Sequence, residues 1–566
     1  MTYETSLSKR PRLRFWGWGY ESESLSPEED KLIESVAHQF MPAGTVEAAP
    51  PSVDDFDLRP PRFRPPGKLE GILSDTPFDR LAHCYGKSYA DMVRMYLRQA
   101  DNAPDFVAFP RNEEDIRQIF EYAGQNQVAV VPFGGGTSVC GGVEADVGAS
   151  YAGAISLDMQ HFDRLLDVDG IGRRARFQAG ILGPDLEQAL KPHGLTLRHF
   201  PQSFVFSSLG GWIATRASGH YATLYTHIDD LVEATRIVTP QGVIRTAELP
   251  GSGAGPSADR LILGSEGVLG VITEATMRLQ RRPRWRASAT VAFGNMGQGT
   301  EAARAISQAG LFPSNCRLLD EAEVTLNRIA EQPCSLLVLG FESADHSVEP
   351  WMRRAIEIAR DHGGDVPADG VVYSSSDAVS RSGEAGSWRN AFIRMPYYRN
   401  RLTALGIIAD TFETAVTWDR FPRFYQAIRN GLVAAIKEIT GQDCGFSCRF
   451  THVYPDGPAP YFTFYAVGDT GGNLRNALDK WRDIKVVANR LVVEFGGTIT
   501  HHHAVGRDHR AGYEQQTSPL FREALAAAKS AVDPHGIMNP GVLIDPANRH
   551  IGITGALADK YRVEKP

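Results

Sequence analysis

Three segments of this chain carry residue types that could bind an anionic group through the main chain. Glycines 134, 135 and 136 follow an apolar segment at residues 128–131 and precede Thr137 and Ser138. Glycine tolerates positive φ and lets the backbone approach a bound group, so amide N–H groups can converge on a pyrophosphate. The second and third segments are Thr-Arg-Ala-Ser at residues 215–218 and Gly-Ser-Glu-Gly at residues 264–267. The glycine spacing at residues 134–136 matches neither the dinucleotide-binding motif G-x-G-x-x-G nor the G-K-S/T ending of a nucleotide-triphosphate loop. If the loop binds phosphate, we therefore expect it to be of another type.

Three consecutive histidines, His501, His502 and His503, form the second chemical feature. Imidazole titrates near neutrality, so the cluster suits proton transfer or phosphate binding. On a strand, alternate side chains point to opposite faces, so we expect only His501 and His503 to share a face unless the turn at Ala504 redirects the last. An internal purification tag is improbable, and His-x-His alone rarely makes a closed metal site, so we predict no bound metal.

The elements that must position these residues alternate between short apolar strands and amphipathic helices. Ser26, with Glu29 three residues on, predicts a capped helix at residues 27–40. Four prolines exclude a helix at residues 54–68. The remaining predicted strands lie at residues 128–131, 152–157, 288–293 and 335–341, and the remaining helices at residues 112–126, 183–193, 298–309, 350–362 and 474–495.

The pattern predicts an α+β fold with two main domains. We expect an N-terminal helical and extended region at residues 1–100, a ligand-binding domain at 101–283 and a cap domain, for substrate, at 284–500. Residues 501–566 should return to the first domain and complete the active site. A chain of 566 residues is long enough to bury a large core in each domain.

Composition narrows the function classes. A formal net charge of −8 gives no electrostatic footprint for nucleic acid. Six scattered cysteines make no disulfide framework and favour a reducing compartment; Cys444 and Cys448 are expected to be buried thiols. The basic run at residues 9–14 lacks a following apolar segment, so we expect no secretory signal and a cytoplasmic location. That run, with Phe15, Trp16 and Trp18, could touch an anionic membrane surface.

The order of strand, glycine-rich loop, strand and later glycine cluster resembles the PCMH-type FAD-binding domain of the vanillyl-alcohol-oxidase and p-cresol-methylhydroxylase family. The resemblance implies that FAD is the cofactor. Some members attach it through a histidine in the first loop; Phe133 and its neighbours include none, so non-covalent binding is expected. The implied cofactor-binding residues are Pro132, Phe133, Gly134, Gly135, Gly136, Thr137, Ser138, Gln202, Ser203, Phe204, Val205, Phe206, Ser207, Ser208, Thr215, Arg216, Ala217, Ser218, Glu266, Gly267, Val268, Leu269, Gly270, Val271 and Ile272.

Longer motifs resemble one branch of that family, the alkyldihydroxyacetonephosphate synthases. HHHAVG at residues 501–506 corresponds to the branch's HHHGVG, and GWGY at 17–20, GGWIATRASG at 210–219 and FETAVTWDR at 412–420 match further motifs. The resemblance implies exchange of the acyl group of an acyl-dihydroxyacetone phosphate for a fatty alcohol, without net redox change. The implied partners are these lipid substrates; an apolar tunnel in the second domain, peripheral membrane contact and a homodimer are further expectations.

The same resemblance assigns roles to three single residues. It implies that Tyr461 and the histidines transfer protons, that Arg317 is essential, and that Arg399 binds substrate. By default Tyr461 would be an ordinary strand aromatic and each arginine a surface salt-bridge residue. Arg317 lies between apolar residues, and a buried guanidinium requires a partner.

Two alternatives stay open. The main rival is an FAD-linked 2-hydroxy-acid dehydrogenase, whose metal-binding positions hold Tyr461 and His502 here and so lack its usual ligands. The MNPG ending at residues 538–541 is common among those dehydrogenases, and Gly541 stands where animal synthases have an arginine. A flavin-free scaffold or lipid-binding module would require the loop at residues 132–138 to have no function.

Overall fold

The computed structural model describes residues 11–41, 44–225, 227–326, 329–330, 332–367, 370–375 and 384–561, with residues 225 and 384–393 described by their backbone only. Lys9 and Arg10 of the basic run lie outside this range. Among the described residues, none of the helices is long and apolar enough to cross a membrane.

The N-terminal region packs against both domains. Its first helix begins at the predicted cap: the Glu29 amide donates to Ser26 Oγ at 3.2 Å, and the Ser26 amide donates to Glu29 Oε2 at 2.8 Å. Ile33 and Ala37, one turn apart, are buried against Leu402 and its neighbours. The elements of this region are α1 Pro27–Phe40, β1 Leu73–Ser74, α2 Pro77–Ala82 and α3 Tyr89–Tyr96.

Two sheets build the next part of the chain. The first has the order β1-β2-β4-β3, with β3 parallel to β4, and the second the order β5-β6-β10-β8-β9. The prediction of a strand on each side of the glycine-rich loop is confirmed by β3 and β4. The elements are β2 Phe106–Ala108, α4 Glu113–Asn126, β3 Val128–Phe133, β4 Gly153–Asp158, β5 Leu165–Asp169, β6 Arg174–Gln178, α5 Gly183–Leu190, β7 Leu195–Thr196, α6 Leu209–Thr215, α7 Ala222–Tyr225, α8 Ile228–Leu231, β8 Val232–Thr239, β9 Gly242–Arg245, α9 Ala258–Ile262, β10 Val271–Arg278 and β11 Gln280–Arg281.

A seven-stranded sheet forms the cap, in the order β15-β12-β14-β13-β17-β18-β16. Helices α14 and α15 pack together, and their apolar faces contribute to the largest buried core. The elements are β12 Trp285–Phe293, α10 Met296–Gln308, β13 Asn315–Leu319, α11 Glu321–Leu326, β14 Ser335–Ser343, α12 Glu349–Asp361, β15 Val371–Ser374, α13 Glu384–Ala404, β16 Ile407–Glu413, α14 Phe421–Thr440, β17 Gly445–Val453, β18 Pro458–Val467 and α15 Leu474–Glu494.

The last part of the chain returns to the first sheet, as predicted. The Val130 amide donates to the Ile537 carbonyl at 2.8 Å, and the Asn539 amide donates to the Val130 carbonyl at 2.9 Å. Val130 belongs to the strand that leads into the glycine-rich loop, so the C-terminal segment and that loop share one support. The elements are α16 Arg510–Gln516, α17 Pro519–Val532 and α18 Ala558–Tyr561.

Two expectations about local structure are wrong. His501 and His503 are not the pair that shares a face: the three histidines form a bend that ends at Ala504, whose φ is +74°, and His502 and His503 line the same cavity. Phe15 and Trp18 are not surface groups: both are buried, and Trp18 packs near Phe206. They are therefore unavailable for the membrane contact expected of them.

Candidate active site

One cavity of about 360 Å³ brings together the glycine-rich loop, residues of the 215–218 segment and two of the three consecutive histidines. One wall is the glycine-rich loop and the start of α6; the opposite wall is the seven-stranded sheet. Arg317, Arg399, Tyr461, His502 and His503 all line it. Residues more than 350 positions apart in sequence therefore face a single space, as the predicted site requires.

The glycines of the first wall are needed because other groups of the protein lie directly against them. A Cβ added to Gly135 would come within 1.8 Å of the Phe206 carbonyl oxygen, and one on Gly134 within 2.2 Å of Ser208 Oγ. Gly136 has φ +65°, in the left-handed region that favours glycine. This close approach leaves a polar surface that fits a bound pyrophosphate and leaves no room for side chains.

The predicted cofactor-binding residues divide into two groups. Those that line the cavity are Gly134, Gly135, Gly136, Thr137, Ser138, Gln202, Ser203, Ser207, Ser208, Thr215, Ala217 and Ser218. Those that do not are Pro132, Phe133, Phe204, Val205, Phe206, Arg216, Glu266, Gly267, Val268, Leu269, Gly270, Val271 and Ile272.

Several members of the second group have other contacts in the structure. The Glu266 carboxylate accepts the amides of Val505 at 2.9 Å and Gly506 at 2.8 Å, directly after the histidine bend. Burial raises the pKa of Glu266 to about 7, against these two hydrogen bonds. Arg216 is paired with Asp229, and Phe204 stacks on Trp212. Glu266 thus holds the active-site bend to the first domain.

Strand register places the catalytic candidates of the cap side by side. In the sheet, Tyr461 on β18 pairs with Arg449 on β17 and with Glu413 on β16. Directly paired residues share one face of a sheet, so these three side chains are neighbours. Neither Arg449 nor Glu413 was predicted as a site residue; the available signal was an acidic residue, Glu413, beside the apolar Phe412 in a strand that is buried on both faces.

Tyr461 is a buried neutral phenol in this setting. Its hydroxyl donates to Thr411 Oγ1 at 2.9 Å, and the Arg449 guanidinium lies 4.2 Å from the ring centroid. Burial raises the pKa of Tyr461, while Arg449 opposes the rise. Arg449 is itself fixed by Glu323, 2.7 Å away, so a permanent positive charge stands beside the phenol. Such a charge stabilises a phenolate that forms transiently.

Arg317 and Arg399 supply the other two cations of the cavity. Arg317 on β13 is buried, and burial together with the nearby Arg449 lowers its pKa to about 9. Arg399 on α13 forms an ion pair with Asp410 at 2.8 Å, and its Nε has no hydrogen-bond partner. Of the three arginines in this part of α13, Arg399 lines the cavity, whereas Arg394 pairs with Glu29 and Arg401 with Glu47.

Glu413 explains why the three histidines form a bend. Its carboxylate accepts the amides of His501, His502 and His503 at 2.7, 3.0 and 2.9 Å. It also accepts the Thr500 hydroxyl at 2.6 Å. Burial opposes ionisation, but the imidazoles and the Thr500 hydroxyl hold the pKa of Glu413 well below its usual range. An ionised carboxylate therefore organises the backbone that presents all three rings.

The imidazoles themselves are neutral near pH 7. Burial lowers the pKa of His503 to about 3 and that of His501 well below its ordinary value, and it also lowers the pKa of His502. His502 stacks on Tyr461 with ring centroids 6.1 Å apart, and His503 meets the same ring edge-on at 5.6 Å. Neutral imidazoles beside a phenol can accept or return a proton.

A glycine-built loop faces buried ionisable side chains across one cavity, and this arrangement is compatible with a flavin-dependent enzyme. Two family models agree: "FAD binding domain" matches residues 104–248, and "FAD linked oxidases, C-terminal domain" matches residues 282–543. A solved alkyldihydroxyacetonephosphate synthase structure superposes with a TM-score of 0.75 at 23% identity, covering 93% of this chain and 98% of that one, and supports the fold. The predicted α+β fold and the FAD cofactor are confirmed.

Sequence relatives identify the branch. The alkyldihydroxyacetonephosphate synthase of Trypanosoma brucei brucei is 30% identical over 86% of this chain and 82% of its own length. The alkyldihydroxyacetonephosphate synthase of Dictyostelium discoideum is 28% identical over 100% of this chain and 93% of its own length. A glycolate oxidase subunit of Bacillus subtilis is 27% identical over 78% of this chain and 89% of its own length. The chain belongs to the alkyldihydroxyacetonephosphate synthase family.

Proposed function

We propose that this protein exchanges the acyl group of an acyl-dihydroxyacetone phosphate for a long-chain alcohol, giving an alkyl ether and a fatty acid. The observation that carries the proposal is the convergence of five side chains on the cavity beside the glycine-rich loop: Tyr461, Arg317, Arg399, His502 and His503. The reaction needs an anion-binding end, a proton carrier and an adjoining cofactor, and these residues supply the first two.

The two arginines would bind the phosphate. Arg399 retains an Nε donor that none of the described residues accepts, and Arg317 on β13 adds a buried positive charge. Guanidinium groups match phosphate oxygens in geometry as well as in charge. FAD, when bound by the glycine-rich loop, would supply reactive ring chemistry at the substrate carbon without net oxidation.

The alkyl chains would occupy the apolar end of the cavity, next to Arg399, which lies one turn from Met395 and Leu402 on α13. Leu32, Ile33 and Val36 of α1, with Leu402 and Met395 of α13, line that end. Since α1 precedes both domains in sequence, the N-terminal region forms part of the apolar wall that was expected in the cap alone. Leu32 is also partly exposed, so the apolar end approaches the protein surface at this helix.

Three finer properties belong to the same proposal. FAD is held without a covalent bond, so acid precipitation should release it into the supernatant. Peripheral membrane contact is made at α1, where Leu32 is exposed, instead of at Phe15 and Trp18. A homodimer is the expected assembly, and light scattering of the purified protein tests it.

The deciding experiment is anaerobic mixing of the purified flavoprotein with palmitoyl-dihydroxyacetone phosphate and hexadecanol, following flavin absorbance and products together. Ether product and released palmitate, with no external acceptor consumed, would support the exchange. Bleaching of the flavin by a D-2-hydroxy acid, without ether product, would instead assign the protein to the dehydrogenase branch.

A further inference from the structure

A chain of hydrogen-bonded rings leaves the cavity behind His502. Nδ1 of His502 lies 2.9 Å from Nδ1 of His501. On the other side of that ring, His501 Nε2 lies 3.0 Å from both Nε2 of His227 and the Tyr454 hydroxyl. Tyr454 and His227 are 2.7 Å apart, which closes a triangle. The chain is therefore continuous through both nitrogens of His501.

The two ends of this chain lie in different surroundings. His502 lines the cavity, whereas His501, Tyr454 and His227 do not. His227 and Tyr454 are half-buried, and the charges of Asp229 and Arg216 act on His227. The Arg216 side chain is 56% exposed. The chain thus runs from the reaction cavity to His227 and Tyr454, two partly exposed side chains.

The proposed reaction produces a proton that must leave the cavity. The bond between the ester oxygen and the dihydroxyacetone carbon breaks, and the acyl group keeps that oxygen. The alcohol oxygen forms the new ether bond to the same carbon, so the alcohol loses its hydroxyl proton. The fatty acid departs as a carboxylate at neutral pH, and no electrons are exchanged overall. One proton is released for every ether formed, inside a cavity walled by buried side chains.

We propose that His502, His501 and the His227–Tyr454 pair relay this proton from the cavity to solvent, an inference that rests on the proposed exchange reaction. His502 takes the proton at the nitrogen that faces the cavity and donates from Nδ1 to His501. His501 donates from Nε2 to His227 or to Tyr454. His502 and His501 each receive at one nitrogen and give from the other, and each ring is left in the opposite tautomer, which must be reset before the next turnover.

The other charged groups around the chain are compatible with transfer. The Glu413 carboxylate is 3.4 Å from His502 Nδ1 and 3.9 Å from His501 Nδ1, so a transient imidazolium is stabilised near the cavity. Burial lowers the pKa of His227 to about 4, so the resting ring is neutral and a proton on it is passed on readily. His452, whose ring centroid is 5.4 Å from that of His501, hydrogen-bonds Ser218 and the Gly219 carbonyl and stands beside the chain.

The test removes the solvent end of the relay. His227 and Tyr454 offer parallel routes, so the double variant His227→Gln/Tyr454→Phe should lower kcat by about ten-fold or more, and each single variant less. Small proton-carrying buffers such as imidazole should restore the lost rate in proportion to their concentration. His362→Gln, at the end of α12, is the matched control and should keep wild-type turnover.

Several results would overturn the relay. Full kcat in the double variant, or a loss that buffers do not restore, would show that the proton leaves elsewhere. With ¹⁵N-histidine, His227→Gln should shift the ring signals of His501 and His502; unshifted signals would show a broken chain. Stoichiometric bound metal at His452, His501 and His502, whose nitrogens lie within 4.8 Å of one another, would occupy the nitrogens required for transfer.

Failure of the exchange reaction is distinguishable from failure of the relay. If the wild-type protein makes no ether but oxidises a D-2-hydroxy acid, the proposed function is wrong. That oxidation also releases a hydroxyl proton, so the same variants and buffers then test the relay in the oxidation.

Discussion

The two walls of the cavity are built by opposite means. The wall around residues 134–138 consists of main chain brought so close together that side chains are excluded, as at Gly135 beside the Phe206 carbonyl. The facing wall consists of buried charged and aromatic side chains on strands, such as Arg449, Tyr461 and Glu413. The first wall depends on shape, and the second on which ionic partners surround each group.

The comparison teaches where each wall is vulnerable. A glycine cradle tolerates no added atom but contains few titratable groups. The cap wall can accept an isosteric substitution without collapse, but each substitution changes the charge or proton available for chemistry. Substitutions in the two walls should therefore separate cofactor binding from turnover.

The largest effect is expected at Gly135. In Gly135→Ala the new Cβ would meet the Phe206 carbonyl oxygen at 1.8 Å, so the loop or the segment at 203–208 must move. We expect the purified variant to carry little or no flavin, measured by absorbance per protein, and to show no turnover. Gly170→Ala, where no atom lies within 4 Å, is the control. A fully yellow and active Gly135→Ala protein would refute the shape argument.

Tyr461→Phe should abolish proton transfer while leaving the cradle intact. We expect wild-type flavin content and a fall in kcat of roughly 10²–10⁴-fold, the usual contribution of a positioned acid or base. Loss of the hydrogen bond to Thr411 should cost only about 1 kcal/mol of stability. Tyr373→Phe, at an exposed tyrosine, should change neither quantity. A near-normal kcat in Tyr461→Phe would show that the Tyr461 hydroxyl does not transfer a proton and that the ring only packs in the sheet.

Arg399→Lys is expected to weaken substrate binding more than it slows chemistry. Lysine keeps the charge but loses the planar donors that match both Asp410 and a phosphate. We expect KM for the acylated phosphate to rise by about ten-fold, with kcat changed less, in steady-state assays at saturating alcohol. Arg401→Lys, two residues on and paired with Glu47, should leave KM unchanged. An equal rise in KM in Arg399→Lys and Arg401→Lys would show that Arg399 does not bind the phosphate.

Much of this architecture was predictable from local sequence. The capped helix α1, the strands that flank the glycine-rich loop and the long helix before the histidines follow from spacing and propensity that act within a few residues. The family motifs then located Tyr461, Arg317 and Arg399, and the structure places all three in the cavity. Their chemical roles remain predictions that the variants above would test.

The features that were missed depend on contacts between distant residues. Glu413 binds amides 88 to 90 positions away, and His227 contacts His501 across 274 positions. A lone acidic residue in an apolar run gives no sign of its partner. The burial of Phe15 and Trp18 was missed for the same reason, since their partners lie in later segments.

The smallest expected effect is the acid sensitivity conferred by His509, a buried residue that follows the histidine bend and precedes α16. Burial lowers the pKa of His509 to about 4, and its Nδ1–H donates to the Ala504 carbonyl at 2.8 Å. An unfolded histidine titrates near 6.5, so between roughly pH 6 and 5 the unfolded chain binds more protons and the free energy of unfolding falls as pH falls. His509→Gln keeps an N–H donor without this titration, so it should flatten that slope by about 1.4 kcal/mol per pH unit in denaturant titrations. His38→Gln on exposed α1 is the control, and an unchanged slope in His509→Gln would mean that this ring is protonated in the folded protein too.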